Sequence, residues 1–283
     1  MQSDSNVTSQ KKLTIGGIQI LLRSSHSAFW QSADKRYQNF YTTEEASPEE
    51  TIDLQMVSKS DVPVEKRGNS SIWESNGTVR MIRGTAVAQW NRRQHTAWIK
   101  QPKRDFLPPT QYPEAGCDSL LRIMLSYRLL EKNGVLLHGA GLIRNRQGYL
   151  FIGQSGAGKS TVARLSAKTS TVLSDDLTLV YLTPEGGQIF GTPFFGEFAT
   201  AGANLSAPLV GIYFLRQAPE NKAVQIAPHT ALRRFLRSVM FFGQDKASTS
   251  TVMDLAMAFC DRIPCYELHF LPDDSFWRCI DVQ

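Results

Sequence analysis

The sequence predicts an α/β protein in which a smaller β-rich N-terminal region, residues 1–110, precedes an α/β domain, residues 111–283. The first hundred residues break into short apolar stretches separated by polar turns, the texture of a sheet built from hairpins. The segment Phe106 to Pro113 carries three prolines, breaks regular structure and is the expected linker. Beyond it, short continuous apolar runs alternate with segments of helical spacing, and one run leads straight into a glycine-rich loop.

In the first region, Leu13 to Leu22 and Val79 to Ile82 read as strands. Ala86 to Trp90 and Thr96 to Lys100 flank the polar turn Asn91-Arg92-Arg93 and form an expected hairpin. Trp73, Trp90 and Trp98 are read as packing residues there. After the linker, Asp118 is placed to cap a helix that runs to about Lys132. Leu121, Leu125 and Leu129 repeat at helical spacing, and Gly134 ends it. Val135 to Ile143, Tyr149 to Ile152, Val172 to Leu173, Leu177 to Leu182 and Leu209 to Leu215 read as buried strands. Helices are expected over 228–242 and 248–262, a strand over Cys265 to Phe270, and a short helix from Asp273 or Asp274.

Composition excludes several classes. The sequence is 42% hydrophobic and 20% charged, which rules out an extended disordered chain. Thirty-one Lys and Arg against 26 Asp and Glu leave +5, too mild and too dispersed for a nucleic-acid-binding arm. The start, MQSDSNVTSQKK, has no apolar core of a leader. Apolar stretches such as Leu209 to Leu215 fall short of the roughly 20 residues of a membrane helix. A cytoplasmic protein with no membrane or nucleic-acid partner is therefore expected. Cys117, Cys260, Cys265 and Cys279 have neither C-x-x-C nor zinc-site spacing and read as reduced thiols.

The sharpest signal is Gly153-Gln154-Ser155-Gly156-Ala157-Gly158-Lys159-Ser160-Thr161, which meets every fixed position of G-x-x-x-x-G-K-[ST]. The strand Tyr149 to Ile152 precedes it, and Thr161 to Ala167 continues it as a helix. Glycines at these positions let successive backbone N–H groups turn toward phosphate oxygens at the positive end of the helix. Lys159 is placed to reach the β- and γ-phosphates of ATP, and the Ser160 hydroxyl to ligate Mg²⁺. Asp175 and Asp176 follow within a short crossover. A helix over 160–169 spans about 15 Å and allows the chain to return as Val172-Leu173 beside the loop it left. One acid can then hold Mg²⁺ while the other accepts the proton of an attacking hydroxyl. The guanine-reading Asn-Lys-x-Asp and the transporter Leu-Ser-Gly-Gly-Gln are both missing from the sequence, which argues against a GTPase or a transporter ATPase.

Leu137-His138-Gly139-Ala140-Gly141-Leu142, the loop GQSGAGKST, and Leu173-Ser174-Asp175-Asp176 together resemble the kinase domain of HPr kinase/phosphorylase, a member of the phosphoenolpyruvate-carboxykinase-like group of P-loop folds. The resemblance covers roughly residues 117–275. It implies an ATP-dependent kinase that phosphorylates a serine or threonine hydroxyl of a protein or peptide. It also implies Asp175 and Ser160 at Mg²⁺, Asp176 as general base, and His138 close to the transferred phosphoryl group. Taken alone, His138 reads as a histidine satisfied inside its strand; its place fifteen residues before Gly153, as in the family, shifts the reading toward the site. The chain departs from the family at Thr161, where HPr kinases carry an acid, in lacking their C-terminal phosphorylase signature, and in its first hundred residues. It looks more like the related kinases that modify peptide natural products such as lasso precursors. Members of the family form oligomers, so a homo-oligomer is among the partners implied.

Weaker candidates remain. Glu197, in Gly191-Thr192-Pro193-Phe194-Phe195-Gly196-Glu197, is either a further ligand or an ordinary loop residue. Thr200 to Ser206 has the small residues of a flap. Arg233, Arg234 and Arg237 are either a solvated helix face or a cradle for phosphates or an acidic peptide. Two other functions stand beside the kinase: a nucleotide-dependent regulatory module without turnover, and a small-molecule kinase.

Overall fold

The computed structural model describes residues 8–58, 71–103, 112–196 and 202–281, and the chain divides into two compact units, Met1–Met124 and Leu125–Gln283. The linker segment is for the most part outside the described residues, as are Glu197, Thr200 and Ala201.

The first unit holds a mixed sheet of β1 (Ser9–Ile15), β2 (Ile18–Ser24), β3 (Glu50–Val57), β4 (Ser71–Ser75), β5 (Thr78–Arg83), β6 (Ala86–Asn91) and β7 (Thr96–Pro102), in the order β1-β2-β3-β7-β6-β5-β4. The single strand expected over Leu13 to Leu22 is two. Gly16 and Gly17 both take positive φ, 57° and 78°, and turn the chain back on itself. Between β2 and β3, which are parallel, runs α1 (Ser27–Tyr37), a helix in a stretch read as strands; it buries Phe29, Trp30, Ala33 and Tyr37. The expected hairpin is β6–β7, and β5–β6–β7 buries alternate residues, Trp90 fully. Trp73, by contrast, is exposed.

The second unit contains β8 (Gly134–Arg144), β9 (Gln147–Ile152), α3 (Lys159–Ser166), β10 (Thr171–Ser174), β11 (Leu177–Thr183), β12 (Gly186–Phe190), β13 (Ser206–Gln217), β14 (Lys222–Gln225), α4 (Pro228–Leu236), α5 (Lys246–Arg262), β15 (Cys265–Phe270) and the short α6 (Trp277–Ile280). Helix α2 (Ala115–Glu131) contains the division between the units. It begins three residues before the expected cap, Asp118, which lies within its first turn. The eight strands of this unit form one sheet, in which β8 lies between β9 and β10 and is antiparallel to both. β9 and β10 are thus parallel to each other, and their carboxyl ends come to the same end of the sheet. Gly139 pairs with Ile152 on one edge of β8, and Gly141 with Ser174 on the other. β13 lies parallel to β9, and β15 parallel to β13, so their ends reach the same edge.

Both faces of the sheet are covered. Leu150, Ile152, Leu137 and Phe214 pack with Ala231 and Phe235 of α4 and with α5. The alternate residues Tyr149, Phe151 and Tyr213 pack with Val162 of α3 and with Trp277 and Ile280 of α6. α4 therefore lies on one face and α3 on the other. The helix expected over 228–242 stops at Leu236 because the chain beyond it pairs with β8: Ser238 O accepts the His138 N–H at 2.7 Å, and Met240 N–H donates to Leu136 O at 2.8 Å. Phe241 is half-buried, tilted against Tyr127 at 5.7 Å between ring centres. The four cysteines are free thiols. No helix among the described residues is long and apolar enough to cross a membrane.

Candidate functional site

The loop 153–158 leaves β9 at the carboxyl edge and closes on α3, with Gly158 as the residue before the first helical turn. Only glycine suits two of its positions. A Cβ on Gly153 would lie 2.6 Å from Ala157 Cβ, and Ala157 does not line the cleft. Gly158 has φ +108°, and a Cβ there would meet the Phe270 ring at 2.5 Å. The loop is braced from outside by Gln217, whose Nε2 donates to Gly156 O at 3.0 Å. Lys159 Nζ donates to Gly153 O at 2.8 Å and to Gln154 O at 3.2 Å, so its charge is held over the loop.

The acid pair occupies the step from β10 to β11. Ser174 shapes this step: its Oγ donates to Phe194 O at 2.7 Å and accepts the N–H groups of Asp176 and Leu177 at 3.2 and 3.1 Å. Asp175 is buried at 2% exposure, and its Oδ1 accepts the Gly196 N–H at 2.9 Å. Asp176 is more open, with 26% of its side chain exposed. Its carbonyl accepts the Gly139 N–H at 3.0 Å, which fixes it beside β8. His138, the residue before Gly139, puts Nδ1 3.6 Å from Asp176 Oδ1. The two acids thus differ in setting: one is buried and hydrogen-bonded, the other faces solvent beside an imidazole.

A cleft of about 860 Å³ collects these groups. Gly153, Ser155, Gly156, Gly158, Lys159, Ser160 and Thr161 line it, together with His138, Asp175 and Asp176, so the residues singled out in sequence converge on one place, Ala157 excepted. Arg233, Arg234 and Arg237 line it as well, from α4.

Four further lining residues, Phe214, Arg216, Gln217 and Glu267, carry no sequence signal. Glu267 is a hub: Arg234 Nη2 lies 2.5 Å away, Arg216 Nη1 3.2 Å and His269 Nε2 2.8 Å. Burial alone would raise its carboxyl, but hydrogen bonds from Arg234, His269 and Arg216 outweigh that and hold it below the usual carboxylate range. The Arg234 guanidinium also lies over the Phe214 ring at 5.7 Å.

A family profile described as "SynChlorMet cassette protein ScmC" matches residues 118–282, more than half of the chain. The chain belongs to this family. The ScmC match takes in every lining residue of the cleft, from His138 to Glu267. Comparison with curated proteins gives no match.

Among the described residues, no three His, Cys, Asp or Glu side chains converge as a metal cage. The Ser160 hydroxyl and the Asp175 and Asp176 carboxylates line the same cleft, and oxygen donors of this kind suit a hard cation. Mg²⁺ at nucleotide sites characteristically takes one or two carboxylates and completes its shell with phosphates and water.

Proposed function

We propose that the second unit is a phosphoenolpyruvate-carboxykinase-like P-loop domain, similar to HPr kinase, that transfers the γ-phosphoryl group of ATP to a serine or threonine hydroxyl of a protein or peptide. The observation that carries this reading is the meeting of the glycine loop, Lys159, the two unlike aspartates and His138 in one cleft at the carboxyl edge of the sheet. Its volume lies within the roughly 300–1,000 Å³ common to ligand clefts. The ScmC description names a cassette and no reaction, so the chemistry rests on the residues.

In this mechanism the loop N–H groups and the start of α3 receive the phosphates. Lys159, released from the Gly153 and Gln154 carbonyls, stabilises charge on the transferring group. Ser160 and buried Asp175 would hold Mg²⁺, which when bound neutralises phosphate charge. Asp176 accepts the acceptor's hydroxyl proton as the new O–P bond forms and the bond from the γ-phosphorus to the departing ADP breaks. His138 orients Asp176 from 3.6 Å.

The test is incubation with γ-labelled ATP, Mg²⁺ and either cell lysate or peptides encoded by neighbouring genes, read by mass spectrometry. Label on a peptide hydroxyl is expected. Lys159→Ala and Asp176→Asn should each lower transfer by about 10²–10³-fold, the second with nucleotide affinity nearly unchanged. Undiminished transfer by Asp176→Asn removes it as the base. Label on a metabolite turns the reading to a small-molecule kinase, and tight nucleotide binding without transfer turns it to a regulatory module.

A further inference from the structure

α4 presents two arginines to the cleft that the mechanism does not use. Arg233 and Arg237 are one helical turn apart, both are exposed and both line the cleft. Among the described residues neither guanidinium has a carboxylate partner, in contrast to Arg234 and Arg216, which both pair with Glu267. Basic residues at the end of a helix are favoured by its dipole, which accounts for their presence in the last turn but not for their facing a cleft.

Their place in the fold separates them from the phosphate loop. α3, which follows the loop, packs on one face of the sheet through Val162, whereas α4 packs on the other through Ala231 and Phe235. The residue after Arg237, Ser238, accepts the backbone N–H of His138, whose side chain stands beside Asp176. The arginines therefore border the His138 and Asp176 side of the cleft, the side from which a second substrate would approach in the kinase reading. An acceptor hydroxyl must approach two carboxylates, Asp175 and Asp176, which repel an acidic segment and attract a basic one. Two unpaired guanidiniums at this border reverse that preference, and each can take a carboxylate through paired N–H groups.

We propose that Arg233 and Arg237 select an acidic peptide segment, one whose acceptor hydroxyl is flanked by Asp or Glu side chains. This rests on the kinase reading for the word acceptor, but the binding it asserts can be measured without turnover.

The experiment uses the full-length protein and two fluorescein-labelled peptides with a single serine, identical except that Asp and Glu in one are Asn and Gln in the other. Fluorescence anisotropy reads binding, and γ-labelled Mg·ATP reads transfer. The acidic peptide should bind about tenfold more tightly at low salt, and the gap should narrow as salt rises. Arg233→Gln with Arg237→Gln should close the gap while affinity for a fluorescent ATP analogue stays within about twofold, and lysine at both positions should restore part of it. Equal binding of the two peptides overturns the inference. So does a gap that survives in the double glutamine variant, or one closed equally by removing two exposed charges elsewhere, Lys168→Gln with Lys222→Gln. Charge-selective binding without transfer keeps the inference and rejects the kinase. Transfer without charge preference does the reverse.

Discussion

Each unit carries a knot of arginines and carboxylates, and the two are built to opposite ends. In the first unit Arg36 lies 3.4 Å from Glu114 and 3.6 Å from Asp118, which Arg122 approaches at 3.0 Å, and Ser32 donates to Glu114. All four charged side chains there are below one-fifth exposed. In the second unit the charges stand along an open cleft, with His138 about half-exposed and Arg233 and Arg237 in solvent. The same residue types are thus buried and mutually neutralised in one unit and left open in the other, where we propose that they recognise a ligand. Buried pairs are costly to break because the partner left behind is a desolvated charge, whereas open ones are cheap to change and felt only in binding.

Removing the centre of the buried knot is the largest effect this contrast predicts. Arg36→Ala leaves Glu114 and Asp118 as neighbouring buried acids and should cost about 3–5 kcal/mol in urea unfolding, with the cleft's affinity for a nucleotide analogue unchanged. The pH dependence has a definite sign. Burial pushes the Asp118 carboxyl above its usual range, against the pull of Arg122 and Arg36. An acid raised in the folded state costs stability above that pKa, and the cost is relieved as pH falls through it. The deficit of Arg36→Ala should therefore shrink as pH is lowered from neutrality toward the usual carboxylate range. A deficit that is small, or that grows on acidification, would show the knot to be uncoupled from folding.

In the cleft the corresponding rigidity lies in the backbone. Gly158→Ala meets both an unfavourable φ and the Phe270 ring, and the left-handed conformation alone costs about 1–2 kcal/mol. Nucleotide affinity should fall about tenfold, and Phe270→Leu in the same chain should restore only part of it, since the ring clash is relieved and the φ is not. Full restoration would mean that the steric contact alone shapes the loop.

How much of this was legible in the sequence follows the distance over which each feature is encoded. The loop 153–161 and the Asp175-Asp176 pair could be read because motif, strand and helix are contiguous. Arg216 and Glu267 could not. They reach the cleft only through the parallel register that sets Phe214 beside Ile152 and Glu267 beside Phe214, between strands some sixty residues apart. The end of α4 at Leu236 is likewise decided by distant pairing with β8 rather than by local propensity. α1 has no side-chain cap to announce it, and its one signal was the spacing of Phe29, Ala33 and Tyr37. Asp118 reads locally as a helix cap but is spent on Arg36 and Arg122.

The smallest effect concerns the one place where the cleft resembles the buried knot, the Glu267 hub. Glu267→Gln keeps the shape and some hydrogen bonding but frees Arg216 and Arg234 of their counter-charge, so the stability loss should be about 1 kcal/mol or less at neutral pH. Because the carboxyl is held below its usual range in the folded protein, its contribution is fully present above that range and is lost as pH falls through the folded value. Wild type and variant should therefore differ in urea midpoint at neutral pH and converge in acid, as wild type and Arg36→Ala do. The two convergences have opposite causes: burial prevails at Asp118, whereas at Glu267 burial is outweighed by the hydrogen bonds from Arg234, His269 and Arg216 together. Acid relieves a penalty in the Arg36→Ala variant, raising its midpoint, whereas it removes a benefit from wild type at Glu267, lowering the wild-type midpoint. Following each protein's own midpoint against pH separates the two, and a wild-type midpoint that falls no faster than that of Glu267→Gln would remove the hub from the stability of the cleft.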